Sequence, residues 1–184
     1  MKNIFRITFK QQLRDLFDAL NIYAYLALFI LVFNIQIGMS ALIITGGIIF
    51  LIDIFPALLL HISYLAKNRK AVLIIDTDSR TISYNNAKTN VTFSFDDIVL
   101  FKYVASYGVK AAAGWYAFGD YRYCQIICKN NNEIIVTSLM VHDVKNTLEM
   151  LLRQKAVEKY QVIAFLPRKS SVDPYVPSHW IEQP

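Results

Sequence analysis

The 184-residue sequence predicts a membrane α+β protein: an N-terminal transmembrane helical hairpin, then a seven-stranded antiparallel β-barrel or sandwich capped by a C-terminal α-helix. Three observations predict it. Hydrophobic residues are 55% of the chain and mean hydropathy is +0.35, with the excess in residues 20–65, more than an ordinary soluble domain carries. Beyond Lys70 the apolar period falls from helical to about two, and short runs alternate with turn residues. Near residues 142–154 the helical period returns. The expected organisation is therefore 1–19 as an amphipathic juxtamembrane segment, 20–66 as the hairpin, 67–156 as the β-domain with its helix, and 157–184 as a C-terminal extension.

Residues 1–19 put Ile4, Phe5, Phe9, Leu13, Leu16 and Phe17 near helical spacing with Lys2, Arg6, Lys10 and Arg14 between them. That pattern suits a helix lying at a membrane surface. The first span is expected at 20–37 and the second at 41–65, each near the roughly 20 apolar residues a bilayer requires, with the uncharged Gly38-Met39-Ser40 between them. Tyr23, Tyr25 and Tyr64 sit near the outer ends, where aromatic rings favour the interface. Lys67, Arg69 and Lys70 follow the second span, so the basic residues flank the hairpin and none lies in its turn; both termini are expected in the cytoplasm. Gly46-Gly47 would admit a neighbouring helix and hence a homo-oligomer.

Asp53 lies inside the second span. A carboxylate there costs at least about 2.5 kcal/mol unless it faces protein or water. Folding the hairpin about residue 38 sets Asp53 level with Tyr23, one turn from Asn21, and His61 two turns further on. These four residues are expected to form an interhelical polar clasp; the functional alternative is a proton or ligand site.

Strands are expected near 71–76, 80–84, 90–95, 98–106, 114–118, 121–129 and 133–138, with turns at Asp76-Thr77-Asp78-Ser79, Asn85-Asn86 and Lys129-Asn130-Asn131-Asn132. An eighth is expected within 160–166. The helix at 142–154 turns Val144, Leu148, Leu151 and Leu152 to one side. Asp96 is expected to order the turn into the fourth strand. Cys124 and Cys128, four apart on one face of a strand and so about 13 Å from each other, are too far apart to pair and are expected as buried free thiols. With the three histidines scattered, no metal-ligand spacing exists, no catalytic grouping converges, and no cofactor is called for.

The net charge of +5 divides into +4 over residues 1–70 and +1 over the rest. The basic excess is thus juxtamembrane, suited to the lipid bilayer, and no basic stripe is left for nucleic acid. The segment Tyr107 to Tyr123 holds Trp115, Phe118 and several tyrosines among three glycines. Its composition fits either a barrel wall or an adaptable recognition surface for a protein partner, built from Tyr107, Trp115, Tyr116, Phe118 and Tyr121. Tyr175 and Trp180 in the tail would dock on a partner or fold back on the domain.

Seven strands closed by one amphipathic helix, the turn-and-strand entry Phe93-Ser94-Phe95-Asp96-Asp97-Ile98, and the order of spans, basic link and β-domain together resemble the membrane-anchored bacterial proteins with a pleckstrin-homology (PH) type domain. The resemblance implies a PH-like fold in the inner membrane and a binding or regulatory role rather than catalysis. Phosphoinositide-holding relatives grip phosphate with Lys and Arg around the first hairpin; residues 75–80 here carry two acids and one arginine, against that mode. The expected function is an interaction module binding an unidentified protein partner, in a narrower form an immunity protein neutralising a toxin. The alternative is an oligomeric transport or channel subunit using Asp53.

Overall fold

The computed structural model describes residues 1–32, 38–87, 90–107, 116–130 and 132–167. Its first element is a strand, not a helix. β1 (Lys2–Arg6) runs antiparallel to β2 (Val72–Asp76), with Phe5 opposite Leu73. Phe5 and Ile7 pack against the sandwich core, while Lys2, Ile4 and Arg6 stay exposed. This is the two-residue period of a strand, which overrides the helical spacing expected from residue 1. Thr8 then switches the chain to helix: its Oγ1 accepts the Gln11 N–H at 3.3 Å, and Gln11 Oε1 accepts the Thr8 N–H at 2.9 Å. This reciprocal capping box opens α1 (Phe9–Val32).

α2 (Met39–Ile49), a π-helical turn (Phe50–Ile54) and α3 (Phe55–Asn68) form one continuous helix. The widened turn has a local cause. Pro56 lacks an N–H and its ring crowds the preceding turn; with Phe55 N–H bonded to Phe50 O, the turn gains a residue and the crowding is relieved. Asp53, Ala57, Leu60, Tyr64 and Asn68 consequently fall on one buried face. Among the described residues, Met39–Asn68 is the single helix long and apolar enough to cross a membrane, with a mean hydropathy of 2.4 in its most apolar window. The apolar part of α1, Tyr23–Val32, is shorter, so the expected hairpin of two spans is not supported.

The strands form two four-stranded sheets. One has the order β1-β2-β3-β4, with β3 (Thr81–Asn85) and β4 (Asn90–Ser94); the other has the order β7-β6-β5-β8, with β5 (Ile98–Ser106), β6 (Tyr123–Cys128), β7 (Glu133–Thr137) and β8 (Val157–Gln161). All pairs are antiparallel except β5 with β8. α4 (Val144–Leu152) buries Val144, Leu148 and Leu152 in the core between the sheets. Among the described residues seven strands precede this helix, but not the seven expected. Residues 116–120 form turns rather than the end of a strand, 114 and 115 lie outside the described residues, and β1 supplies the missing member. The β-domain therefore is not confined to 67–156: it takes its first strand from before the helices and β8 from the extension.

Cys124 and Cys128 point with Ile126 into the inner core as free thiols. At the β4–β5 corner a capping box on Ser94 uses Asp97, whose Oδ2 accepts the Ser94 N–H at 3.2 Å. Asp96, expected to order this turn, instead accepts Arg80 Nη2 at 2.8 Å.

Candidate functional site

The outward face of β5, β6 and β7 is covered. Ala57, Leu60 and Tyr64 of α3 form a second apolar cluster with Val104, Ala117, Phe118, Tyr121, Tyr123, Ile135, Leu139 and Ala164, and Tyr23 and Ile7 pack at its edge. Polar contacts fix the helix along this seam. At its far end Asn68 Nδ2 donates to Tyr84 Oη at 3.1 Å and to the Ile135 carbonyl at 3.0 Å. One turn back, the Tyr64 hydroxyl donates to the Ala164 carbonyl at 2.7 Å, and its ring meets those of Tyr121 and Tyr123 edge to face at 5.7 and 6.1 Å. His61 Nδ1 lies 3.1 Å from Tyr121 Oη. At the near end Asp53 Oδ1 accepts the Ala117 N–H at 2.7 Å, and the same carboxylate also accepts the Phe118 N–H.

Members of two residue sets expected to be separate thus meet at one seam. Asp53 caps the loop that follows residue 115, where two adjacent backbone donors have its buried carboxylate as their acceptor. His61 and Tyr121 meet across the same seam, Tyr23 touches its apolar edge, and the side chain of Asn21 lies outside the described residues. Of the expected partner surface, Phe118 and Tyr121 are buried under the helix at 8% and 2% exposure, whereas Tyr116 remains open at 47% and stacks on Phe118 at 5.1 Å. Tyr107 stands apart, stacked on Tyr160 of β8 at 6.4 Å. Trp115 and residues 168–184, with Tyr175 and Trp180, lie outside the described residues. The expected membrane-surface residues also divide. Lys2 and Arg6 belong to β1, Lys10 opens α1, the side chain of Arg14 lies outside the described residues, and Lys67, Arg69 and Lys70 are exposed together at the end of α3.

The hairpin at residues 75–80 joins β2 to β3 and is not the first connection. The link between β1 and β2, where a phosphate-gripping loop would stand, is the helical insertion itself. A cleft of about 530 Å³ lies beside that β2–β3 turn, between Thr77, Phe95, Leu151 and Arg153. Arg80 on its wall is paired with Asp96, and Arg153 is the other cation that lines the cleft.

Two sheets packed face to face, with one helix closing the core, define a β-sandwich of the PH type. The chain belongs to the PH domain family, whose family model matches residues 4–147. That match opens inside β1 and ends inside α4, so the helical insertion lies within it. No curated protein and no solved structure matches the chain.

Proposed function

We propose that this PH domain is anchored in the cytoplasmic membrane of a bacterium by its helical insertion, and acts as an interaction module that recognises a protein partner there. The observation that carries the reading is the apolar helix Met39–Asn68, of whose most apolar window 12% is buried. Met39, Ile43, Ile44, Ile48, Leu51 and Ile52 are all exposed, an apolar surface of a kind that soluble monomers rarely leave open. Exposed Lys67, Arg69 and Lys70 end the stretch, which suits anionic headgroups on the cytoplasmic side. The use of Asp53 to hold a loop of the β-domain favours a binding role over one in which that carboxylate carries a proton or an ion.

Membrane fractions washed with alkaline carbonate test the anchor: the full chain should stay with the lipid, and its release would overturn the reading. Detergent extraction followed by affinity recovery tests the partner. A stoichiometric protein that is lost with Trp115→Ala establishes the module, and a toxin in that position establishes the immunity form. Recovery of the chain alone in wild type and variant would overturn partner binding and point to self-assembly. Gly46 and Gly47 face open space that a second helix would fill.

A further inference from the structure

The length of the apolar helix does not fit a domain held clear of the membrane on a stalk. The part ahead of the sheet contact, residues 39–52, rises about 21 Å at 1.5 Å per residue, short of the ~30 Å hydrocarbon core. The apolar surface, however, runs on past the point where the helix meets the sheet. From residue 53 onward α3 has two faces. Asp53, Ala57, Leu60 and Tyr64 are buried against the β-domain, while Phe55, Leu59 and Ile62 on the other side remain 44%, 41% and 63% exposed. Counted to Leu59 the apolar surface spans about 31 Å and to Ile62 about 36 Å, enough for the core. The next charged residue after Asp53 is Lys67.

The protein that lies beside residues 53–60 is the loop held by Asp53, and its backbone is prepared for low dielectric. Irregular backbone is tolerated at membrane depth only where its polar groups are satisfied by protein. Here the Ala117 and Phe118 N–H groups go to the Asp53 carboxylate, Gly119 N–H to Tyr116 O at 2.8 Å, and Tyr121 N–H to Phe118 O at 3.3 Å. Stacked on this loop and open to the outside is Tyr116, a ring with an apolar body and a polar tip of the kind that collects at membrane interfaces.

We infer that the β-domain is seated in the cytoplasmic leaflet, with the Tyr116–Phe118 loop inserted among the lipids beside α3. The occupant of the open face of α3 is lipid acyl chain. The inference rests on the anchor reading and adds the depth and orientation of the domain to it.

Single cysteines at Ile44, Tyr116 and Ser79, each carrying an environment-sensitive fluorophore in the full chain in phosphatidylcholine–phosphatidylglycerol vesicles, test it. Ser79 lies in the β2–β3 turn, at the end of its sheet away from α1 and α3. The native Cys124 and Cys128 are buried, and unmodified chain measures their background labelling. The expected result is quenching of the Ile44 and Tyr116 probes by nitroxide-labelled acyl chains. Iodide should quench the Tyr116 probe at least about fivefold less than the Ser79 probe, since an ion does not enter hydrocarbon. Lipid quenching at Ile44 with full iodide access at Tyr116 would overturn the seated domain and leave the anchor standing. Absence of lipid quenching at Ile44 would overturn both. A Tyr116 probe shielded from lipid and iodide alike would show that protein, such as a second copy, covers the loop, and would also overturn the inference.

Discussion

The two sheets are built from similar apolar stock and bury it differently. In β2 and β3 fully buried residues alternate with half-buried or exposed ones, whereas β6 is buried at every position and β7 at four of five. An antiparallel sheet with one wet face alternates, and a sheet covered on both faces reads as a continuous apolar run. The first sheet follows the former rule. The second has α4 and the inner core on one side and α3 on the other, so the apolar helix that composition alone assigns wholly to lipid is also the outer layer of the domain. Burial on both sides of β6 is what places Asp53, His61 and Tyr121 together.

The strongest way to break this comparison is to truncate matched residues on the two outer faces. Ile135 of β7 is 3% exposed under α3, so Ile135→Ala should cost about 2–5 kcal/mol, the usual range for a buried isoleucine. Ile74, half-buried on the outward face of β2, should cost at most about 1 kcal/mol, closer to a surface change. Denaturant unfolding in detergent of the two variants checks this, and equal losses would mean that α3 does not cover the second sheet in solution. Next in size is Asp53→Ala, which leaves two adjacent backbone donors without their acceptor. The expected loss is about 2 kcal/mol, since each buried unsatisfied donor costs on the order of 1–3. It should be accompanied by faster proteolysis around residue 116, and unchanged cleavage there would show that the carboxylate does not hold the loop.

The residues explain how far the sequence could be read. The β-domain was legible from β2 onward because Val72–Asp76, Thr81–Asn85 and Ile98–Ser106 match runs visible in their period and turns. β1 was not, since five residues in front of a helix have no turn signal before them and Ile4, Phe5 and Phe9 satisfy a helical period as well. The signal that could have found it is Thr8-x-x-Gln11, a helix start placed at residue 8 rather than at residue 1. The expected strand at 114–118 does not form over its described residues 116–118 for the opposite reason: Phe118 packs under α3, and Gly119, whose added Cβ would meet Tyr116 O at 3.0 Å, marks a tight turn. Asp53 was legible as a residue that needs a partner. Its partner was not, because backbone amides carry no mark in a sequence and the contact crosses 64 positions.

A finer probe of the covered face is the hydroxyl of Tyr64. Tyr64→Phe keeps the ring and its contacts with Tyr121 and Tyr123 but removes the bond to the Ala164 carbonyl, so the loss should be about 1 kcal/mol, the net worth of one hydrogen bond. It should loosen residues 162–166 first, read as faster amide exchange there with β2 and β3 unchanged.

At neutral pH the smallest effect is zero, and it emerges only in base. Burial, with a smaller contribution from the Asp97 charge, pushes the Cys128 thiol from 9.0 up to about 11, and burial raises Cys124 further. Burial also pushes Tyr123, on the face covered by α3, from 10.0 to about 12. In each case the folded chain keeps a proton that the unfolded chain has released, so the unfolded state gains as pH rises. The stability these groups contribute is fully present below pH 9 and is lost as pH climbs through about 11 and then 12. Thermal midpoints should therefore be flat from pH 7 to 8.5 and fall beyond it. Cys128→Ala should blunt the first part of that fall and Tyr123→Phe the later part. Because the thiol belongs to the inner core and the phenol to the outer one, the two variants separate the cores: an alkaline limb that Tyr123→Phe leaves as in the unmodified chain would show that the covered face of the second sheet is open to water.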